Sequence, residues 1–467
     1  MSISSIFSSR MLLRFERADS TSVDVLTLTA AEIQHLLAEN YTTSVELTSK
    51  YLEHIQNHNH AGLKLNAVIT TPPLETVLQR ALELDEERRT GRVRGPFHGV
   101  PILLKTQTPY VKGGVTPNEK WLGHSTPAGS SSGSAAGVAA GFAPISLGTE
   151  SDGSLMMPAA RAGLYALKIT RGTVNDTGVQ PALPQFDCLG GFTRSAIDQA
   201  HLVATMQERS PDAYLPLNGS WEGLKIGFVD PTKWRSYPAA METIEGYFEQ
   251  TDAAMFAAAD KIRSLGGKVV QSILMPSWDE ITSAMPSMHN MEDLNPYQFK
   301  NCFNDFLAGF EDTPRTIEEL IEFNKLHADK EFTDSYVTLH SDNQDVPPDA
   351  NQWFLEAARD DQTTKEDFDR NLNALRDFAS NRIKQLLRDY DIDVILGPSD
   401  SRTASVSSAA GFPSGNLPLG FANFNGRGFS LHMIAPENSE AKMLQVMVAW
   451  DATFPENVRP PPLLVEM

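Results

Sequence analysis

Cysteine is nearly absent from this sequence, with two residues in 467, Cys188 and Cys302. Two cysteines so far apart build no disulfide framework, and no CxxC pair exists to hold a metal. Both read as buried thiols of a reducing compartment. No apolar run reaches the ~18 residues of a membrane span. Positive charge is scarce, with 39 lysines and arginines against 59 acids and a net charge of −20. That balance argues against nucleic acid as a partner. The phosphate-cradling pattern G-x-x-x-x-G-K-[ST] is missing, no G-x-G-x-x-G follows a strand, and HExxH does not occur. No internal repeat is present. Nothing in these motifs calls for a cofactor, a metal, a membrane or a nucleic acid, and the oligomeric state is not legible.

What is present is concentrated in residues 129–154, GSSSGSAAGVAAGFAPISLGTESDGS. Ser130, Ser131, Ser132, Ser134 and Ser154 stand among residues with almost no side chain. Glycine lets a second group approach backbone N–H groups closely. A hydroxyl nucleophile needs such surroundings, because its reaction builds negative charge on an oxygen that N–H groups can hold. A flexible Gly/Ser linker is the plainer reading. Against it, Ala135, Ala136, Val138, Ala139 and Ala140 suit a short packed helix, and PISLG suits a buried strand. Upstream, Lys105 ends the apolar stretch GVPILLK. Two serines and a lysine can together form a proton relay without histidine.

The remaining chain reads as an α/β protein. Hydrophobic residues make up 41% of it, enough for a sizeable core. Thr29 with Glu32 and Thr43 with Glu46 form two capping boxes, each opening a helix. A third helix covers LETVLQRALELDEERR. GVPILLK is expected as a short buried strand, with Lys105 at its C-terminal end. RAGLYALKI, GLKIGFV, KVVQSIL and DIDVILGP are strand candidates, with helices such as TDAAMFAAADKIRSL between them. Such alternation argues for layered α/β architecture. An acidic helical stretch over about 278–377 reads either as a cover for the site mouth or as a plain surface layer.

His54 and His58 have the one-turn spacing that can hold a metal on a helix face. A polar, solvated helix end is the competing reading. His98 and His124 flank the motifs without being needed for a serine–lysine relay. Lys168 and Arg161 read as partners of acids, and Ser131 and Ser132 as supports that bond backbone. The first 17 residues carry three arginines and one acid, weakly like a mitochondrial presequence. An untargeted leader over 1–25 and a cytoplasmic location form the main expectation.

Four segments carry a resemblance to a known family: GPFHGVPILLK (95–105), PAGSSSGSAAGVAAGFAPISLGTESDGS (127–154), PAARAGLYALKITRGTV (158–174) and AAGFPSGNLPLGF (409–421). The chain resembles the amidase signature family, in its fungal and bacterial amidase-like branch. The resemblance runs from about residue 26 to the end and is weakest in the centre. It implies an α/β/α layered fold around a central mixed sheet. It divides 26–467 into an N-terminal helical layer (26–92), a catalytic core (93–205), a helical and α/β region over the site (206–395) and a C-terminal return to the core (396–467).

By the same resemblance the chemistry is hydrolysis of a small-molecule carboxamide through a Ser–cisSer–Lys triad and an acyl-enzyme. Ser154 is the implied nucleophile, Ser130 the bridging serine after a cis Gly129–Ser130 bond, and Lys105 the base. The backbone N–H groups of Ser151, Asp152, Gly153 and Ser154 are the implied oxyanion hole. The base is expected to be neutralised by burial behind Val100, Ile102, Leu103 and Leu104.

Two departures stand out. The family's GTDxGGS loop is GTESDGS here, so Asp152 replaces a glycine. Only 24 residues, 106–129, separate Lys105 from Ser130. That is less than the roughly 30 residues of a strand–helix–strand unit, and part of the core is expected to be missing there. The short connection motivates a second reading, a catalytically impaired amidase-like protein serving as a binding or assembly subunit. One more reading is a glutaminase-like component feeding ammonia to a partner.

Overall fold

The computed structural model describes residues 25–105, 128–235, 244–328 and 352–458. The expected leader, apart from Val25, and most of the short connection after Lys105, including Lys112 and His124, lie outside these residues. The described residues divide into two compact units, one drawn from the ranges 25–175, 188–275 and 382–458, the other from 176–187 and 276–381.

The first unit opens with helices α1 (Ala30–Ala38), α2 (Ser44–His58) and α3 (Leu74–Arg89). Both expected capping boxes are formed, by Thr29 with Glu32 and by Thr43 with Glu46. On α1 the apolar positions Ile33, Leu36 and Leu37 share one face at helical spacing and are buried. They pack with Leu47, Tyr51, Ile145 and Leu202. Full burial of each such side chain is worth about 1.5–3 kcal/mol. Asp198 adds a second cap to α1, accepting from Ala30 N at 2.8 Å and Ala31 N at 2.9 Å.

The core follows as β1 (Ile102–Leu104), α4 (Ser132–Ala139), β2 (Ile145–Glu150), α5 (Met156–Ala162), β3 (Tyr165–Lys168), β4 (Cys188–Thr193), α6 (Ala196–Met206), β5 (Lys225–Val229), α7 (Tyr247–Ser264) and β6 (Lys268–Ile273). In the second unit lie α8 (Trp278–Thr282), α9 (Asn295–Leu307), α10 (Ile317–Leu326), α11 (Trp353–Asp360) and the first part of α12 (Lys365–Asp389). The chain ends with β7 (Val394–Pro398), α13 (Thr403–Ala410), β8 (Ser414–Phe421), β9 (Gly428–Ile434) and α14 (Glu440–Thr453).

Among the described residues nine strands form one mixed sheet in the order β1-β2-β4-β3-β8-β9-β7-β5-β6. The expected α/β architecture with a central mixed sheet is therefore what the chain forms. β1 pairs in parallel with β2, and β5 lies parallel to both β6 and β7, while the remaining neighbours are antiparallel. One expectation fails. β1 is not a buried strand: Ile102 is 42% and Leu104 63% exposed. Among the described residues β1 lies at the sheet edge beside β2, and Ile102 and Leu104, two positions apart, share the face left uncovered.

The second unit has its own core of Phe299, Phe303, Ile317, Ile321, Leu355 and Ala358. It is helical, as its sequence suggested. Cys302, in α9, is half-buried rather than buried, and Cys188 in the first unit is likewise half-buried. Burial pushes the Cys302 thiol up to about 12, with Asp187 adding to the shift. Among the described residues no helix is long and apolar enough to cross a membrane.

Candidate active site

The parallel pairing of β1 and β2 continues one residue beyond β1, where Lys105 N donates to Leu147 O at 3.1 Å. This carries the lysine side chain alongside the end of β2. Its Nζ lies 2.8 Å from Ser130 Oγ, 2.7 Å from Thr149 Oγ1 and 3.3 Å from Thr149 O. Ala128, two residues before Ser130, has φ +64°, and the Gly129–Ser130 peptide bond is cis.

Ser131 and Ser132 support this turn through backbone bonds, as expected. Ser131 Oγ donates to Thr149 O at 3.0 Å, and Ser132 Oγ donates to Ala128 O. Such close approach needs a glycine at 148, where an added Cβ would stand 2.7 Å from Ser131 Oγ and 2.8 Å from Leu155 Cδ2.

Ser154 joins the same region through its backbone, its carbonyl accepting from Ser131 N at 3.2 Å. Among the described residues no hydrogen bond links Ser154 Oγ to Ser130 Oγ. The loop 151–154 turns through Gly153, whose φ is +76°. It is closed from below by Glu150, whose Oε2 accepts from Leu155 N at 2.7 Å and Met156 N at 2.9 Å. Glu150 is buried, and its Oε1 lies 3.5 Å from Lys168 Nζ. Lys168 in turn donates to Ser407 Oγ and Ser408 Oγ, both at 3.0 Å.

Asp152 is drawn to α13. Its Oδ2 accepts from Ser405 Oγ at 3.1 Å and lies 3.8 Å from the Arg402 guanidinium. Beneath α5, His432 is buried with Nε2 3.2 Å from Met156 O. Burial lowers its pKa to about 4, against the opposing pull of Glu150.

Of the residues named from sequence, Lys105 and Ser130 meet directly, and Ser154 reaches them through Ser131. The burial expected around Lys105 is not there. Lys105 is half-buried, and two of its four supposed covers, Ile102 and Leu104, are exposed. Its partners include the oxygens of Thr149 and Ser130.

Lys168 and Arg161 do pair with acids, Glu150 and Asp400. His54 is not on a solvated helix end: it is buried, with Nε2 2.9 Å from Ala140 O and its ring against Phe142. His98 is also buried, with Nε2 2.9 Å from Leu84 O. Sequence reasoning missed Thr149 and Glu150, although both stand inside the quoted motif. It also missed Arg402 and Ser405, for which no spacing signal existed.

A separate open cleft, about 400 Å³ of empty space including open solvent, lies among the segment after β5, α7, β7, β8 and β9, lined by residues including Trp234, Phe248, Met255, Asp400 and Phe429. Lys105, Ser130 and Ser154 do not line it. Asp400 is buried between Arg161 at 2.5 Å and Arg427 at 2.9 Å, with Tyr247 OH donating to it at 2.7 Å. Burial pushes the Asp400 carboxyl up. The two guanidiniums outweigh that and hold it well below the usual carboxylate range.

Comparison with known proteins accords with this architecture. A family model described as Amidase matches residues 106–408. A Schizosaccharomyces pombe protein named only as an amidase is 24% identical, over 89% of this chain and 83% of its own. An Arabidopsis thaliana protein, also named as an amidase, is 21% identical over 96% of this chain and 93% of its own. The structure of native peptide amidase from Stenotrophomonas maltophilia shares the fold, with a TM-score of 0.75 at 23% identity, covering 93% of this chain and 98% of that one.

Proposed function

This chain belongs to the amidase family, hydrolases acting on carbon–nitrogen bonds, and on that premise we propose that it cleaves a small carboxamide through Ser154, Ser130 and Lys105. The observation that carries the reading is the 2.8 Å contact of Lys105 Nζ with Ser130 Oγ, made while Thr149 offers two further acceptors. An ammonium at this position donates to all three oxygens. A neutral amine has two N–H bonds and one lone pair. With the two N–H bonds given to Thr149, the lone pair faces Ser130 and accepts its proton.

The steps then balance. Lys105 takes the Ser130 proton as Ser130 takes that of Ser154, and Ser154 Oγ bonds to the amide carbon. The C–N bond breaks as the leaving nitrogen receives a proton back through Ser130. Water gives its proton to the same relay and attacks the acyl ester, releasing the carboxylic acid and restoring Ser154. The link between Ser154 and Ser130 closes in the substrate complex, where catalytic hydrogen bonds tighten.

The developing oxyanion is held by the backbone N–H groups of the loop containing Ser151, Asp152, Gly153 and Ser154. Among the described residues, the N–H groups of Gly153 and Ser154 make no hydrogen bond. The impaired-subunit reading was motivated by the short connection after Lys105, and the contact between Lys105 and Ser130 supports the active reading instead.

The test is turnover of a panel of primary and secondary carboxamides by the full chain and by Lys105→Met, Ser130→Ala and Ser154→Ala. General-base loss predicts that Lys105→Met falls by about a hundredfold or more. Turnover by Lys105→Met near the wild-type rate removes the lysine from the relay.

A further inference from the structure

Two acids border the proposed nucleophile loop, Glu150 before it and Asp152 within it, and both lead to α13. Asp152 Oδ2 accepts from Ser405 Oγ at 3.1 Å, and the Arg402 guanidinium stands 3.8 Å from the same oxygen and 3.4 Å from Ser405 Oγ. Glu150 reaches the helix through Lys168, which bonds Ser407 and Ser408. Ala404 of the helix also faces the loop: a Cβ placed on Gly153 would stand 3.9 Å from Ala404 Cβ.

The helix offers a fixed support. All eight residues of α13 are buried. Its start is held by Ser401 Oγ, which donates to Pro398 O at 2.6 Å and accepts from Thr403 N at 3.2 Å. Oxyanion stabilisation depends on N–H groups held about 2.7–3.1 Å from a charge that exists only in the transition state. A loop turning through Gly153 at φ +76° has little stiffness of its own. The carboxylate at 152, two positions before Ser154, supplies a side-chain tether to a rigid element some 250 residues later in the chain.

We propose that α13 is the brace of the oxyanion loop, with Asp152, Ser405 and Arg402 as positioning residues that act on the N–H groups of Gly153 and Ser154. This inference rests on reading Ser154 as the nucleophile. Asp152 itself need not touch substrate; it acts through the loop backbone. Ser405 and Asp152 therefore form one unit, and removing either should release the same constraint.

The experiment reacts the full chain with a biotin-tagged alkyl fluorophosphonate and separates the maximal inactivation rate, kinact, from the binding constant, KI. The variants are Asp152→Ala, Asp152→Asn, Ser405→Ala and the Asp152→Ala/Ser405→Ala double. Misplaced oxyanion donors predict a kinact lowered by roughly 10- to 100-fold in Asp152→Ala and Ser405→Ala, with KI unchanged. Asp152→Asn, which keeps an acceptor for Ser405, should recover most of the rate. The double variant should lose no more than the worse single one, since coupled residues are non-additive.

Wild-type kinact in the folded single variants overturns the brace, and so do fully additive losses or a KI that rises in step with the fall in kinact. A folded wild-type chain that forms no adduct at Ser154 overturns the nucleophile reading itself, a result distinct from the others.

Discussion

Lys105 Nζ lies 2.7 Å from Thr149 Oγ1. The threonine hydroxyl is thus part of the lysine's immediate surroundings, and in the proposed relay it and the Thr149 carbonyl take the two N–H bonds of the neutral amine. Thr149→Val keeps the shape but removes the hydroxyl. The expected outcome is a kcat lowered about tenfold at unchanged KM, the pattern for a loss that falls on the chemical step and not on substrate binding. Steady-state kinetics on any carboxamide the wild type turns over checks it, and an unaltered kcat detaches Thr149 from the relay.

A second prediction concerns the buried cluster away from the relay. Asp400 neutralises two guanidiniums, and Arg161 and Arg427 have side chains only 10% and 9% exposed. Asp400→Ala leaves both buried without it. Removing one partner of a buried ion pair costs about 3–5 kcal/mol. Urea denaturation should show a loss of that size in the first unit, and a loss below about 1 kcal/mol would contradict the role given to Asp400.

The same contrast between local and distant determinants explains what the sequence disclosed. The capping boxes at Thr29 and Thr43 and the helix Leu74–Arg89 were legible because their signals span a few neighbouring residues. β1 was legible as a strand but misread as buried, since an apolar run does not say which sheet position it takes. β4, β8 and β9 went unread. β4 contains Gly190 and Gly191, and β8 contains Gly415, Pro418 and Gly420, residues that weaken any strand signal. At Gly191 the structure shows the need: an added Cβ would stand 2.3 Å from Leu202 Cδ2 of α6. Lys105, Ser130 and Ser154 were named from motif spacing and family resemblance. Ser405 and Arg402 reach Asp152, and Asp400 reaches Arg161, from more than 200 residues away, and no local pattern announces such contacts.

Acid sensitivity supplies a third prediction. The folded pKa of His432 is lowered from 6.5 to about 4. The unfolded chain therefore binds this proton first, and the contribution is full above 6.5 and lost as pH falls toward 4. Asp198 has the opposite sign. Burial raises its pKa from 3.8 to about 6, against the N–H groups of Ala30 and Ala31, so its contribution is full below 3.8 and lost as pH rises through 6. The two oppose each other over much of one window, so wild-type unfolding alone does not separate them. His432→Leu should flatten the loss of stability on acidification from pH 6.5 to 4. Asp198→Asn should flatten the loss as pH rises from 4 to 6. Unfolding midpoints measured across that range decide it, and slopes identical to wild type in both variants would contradict the assignment.

The central claim is that one serine of the GTESDGS loop becomes covalently bonded during the reaction. Mass mapping of the folded full chain after fluorophosphonate treatment tests it most directly. The account predicts a single adduct on the peptide containing Ser154, absent in Ser154→Ala and slow to form in Lys105→Met. A folded wild-type chain without an adduct, or an adduct that persists in Ser154→Ala, would contradict it.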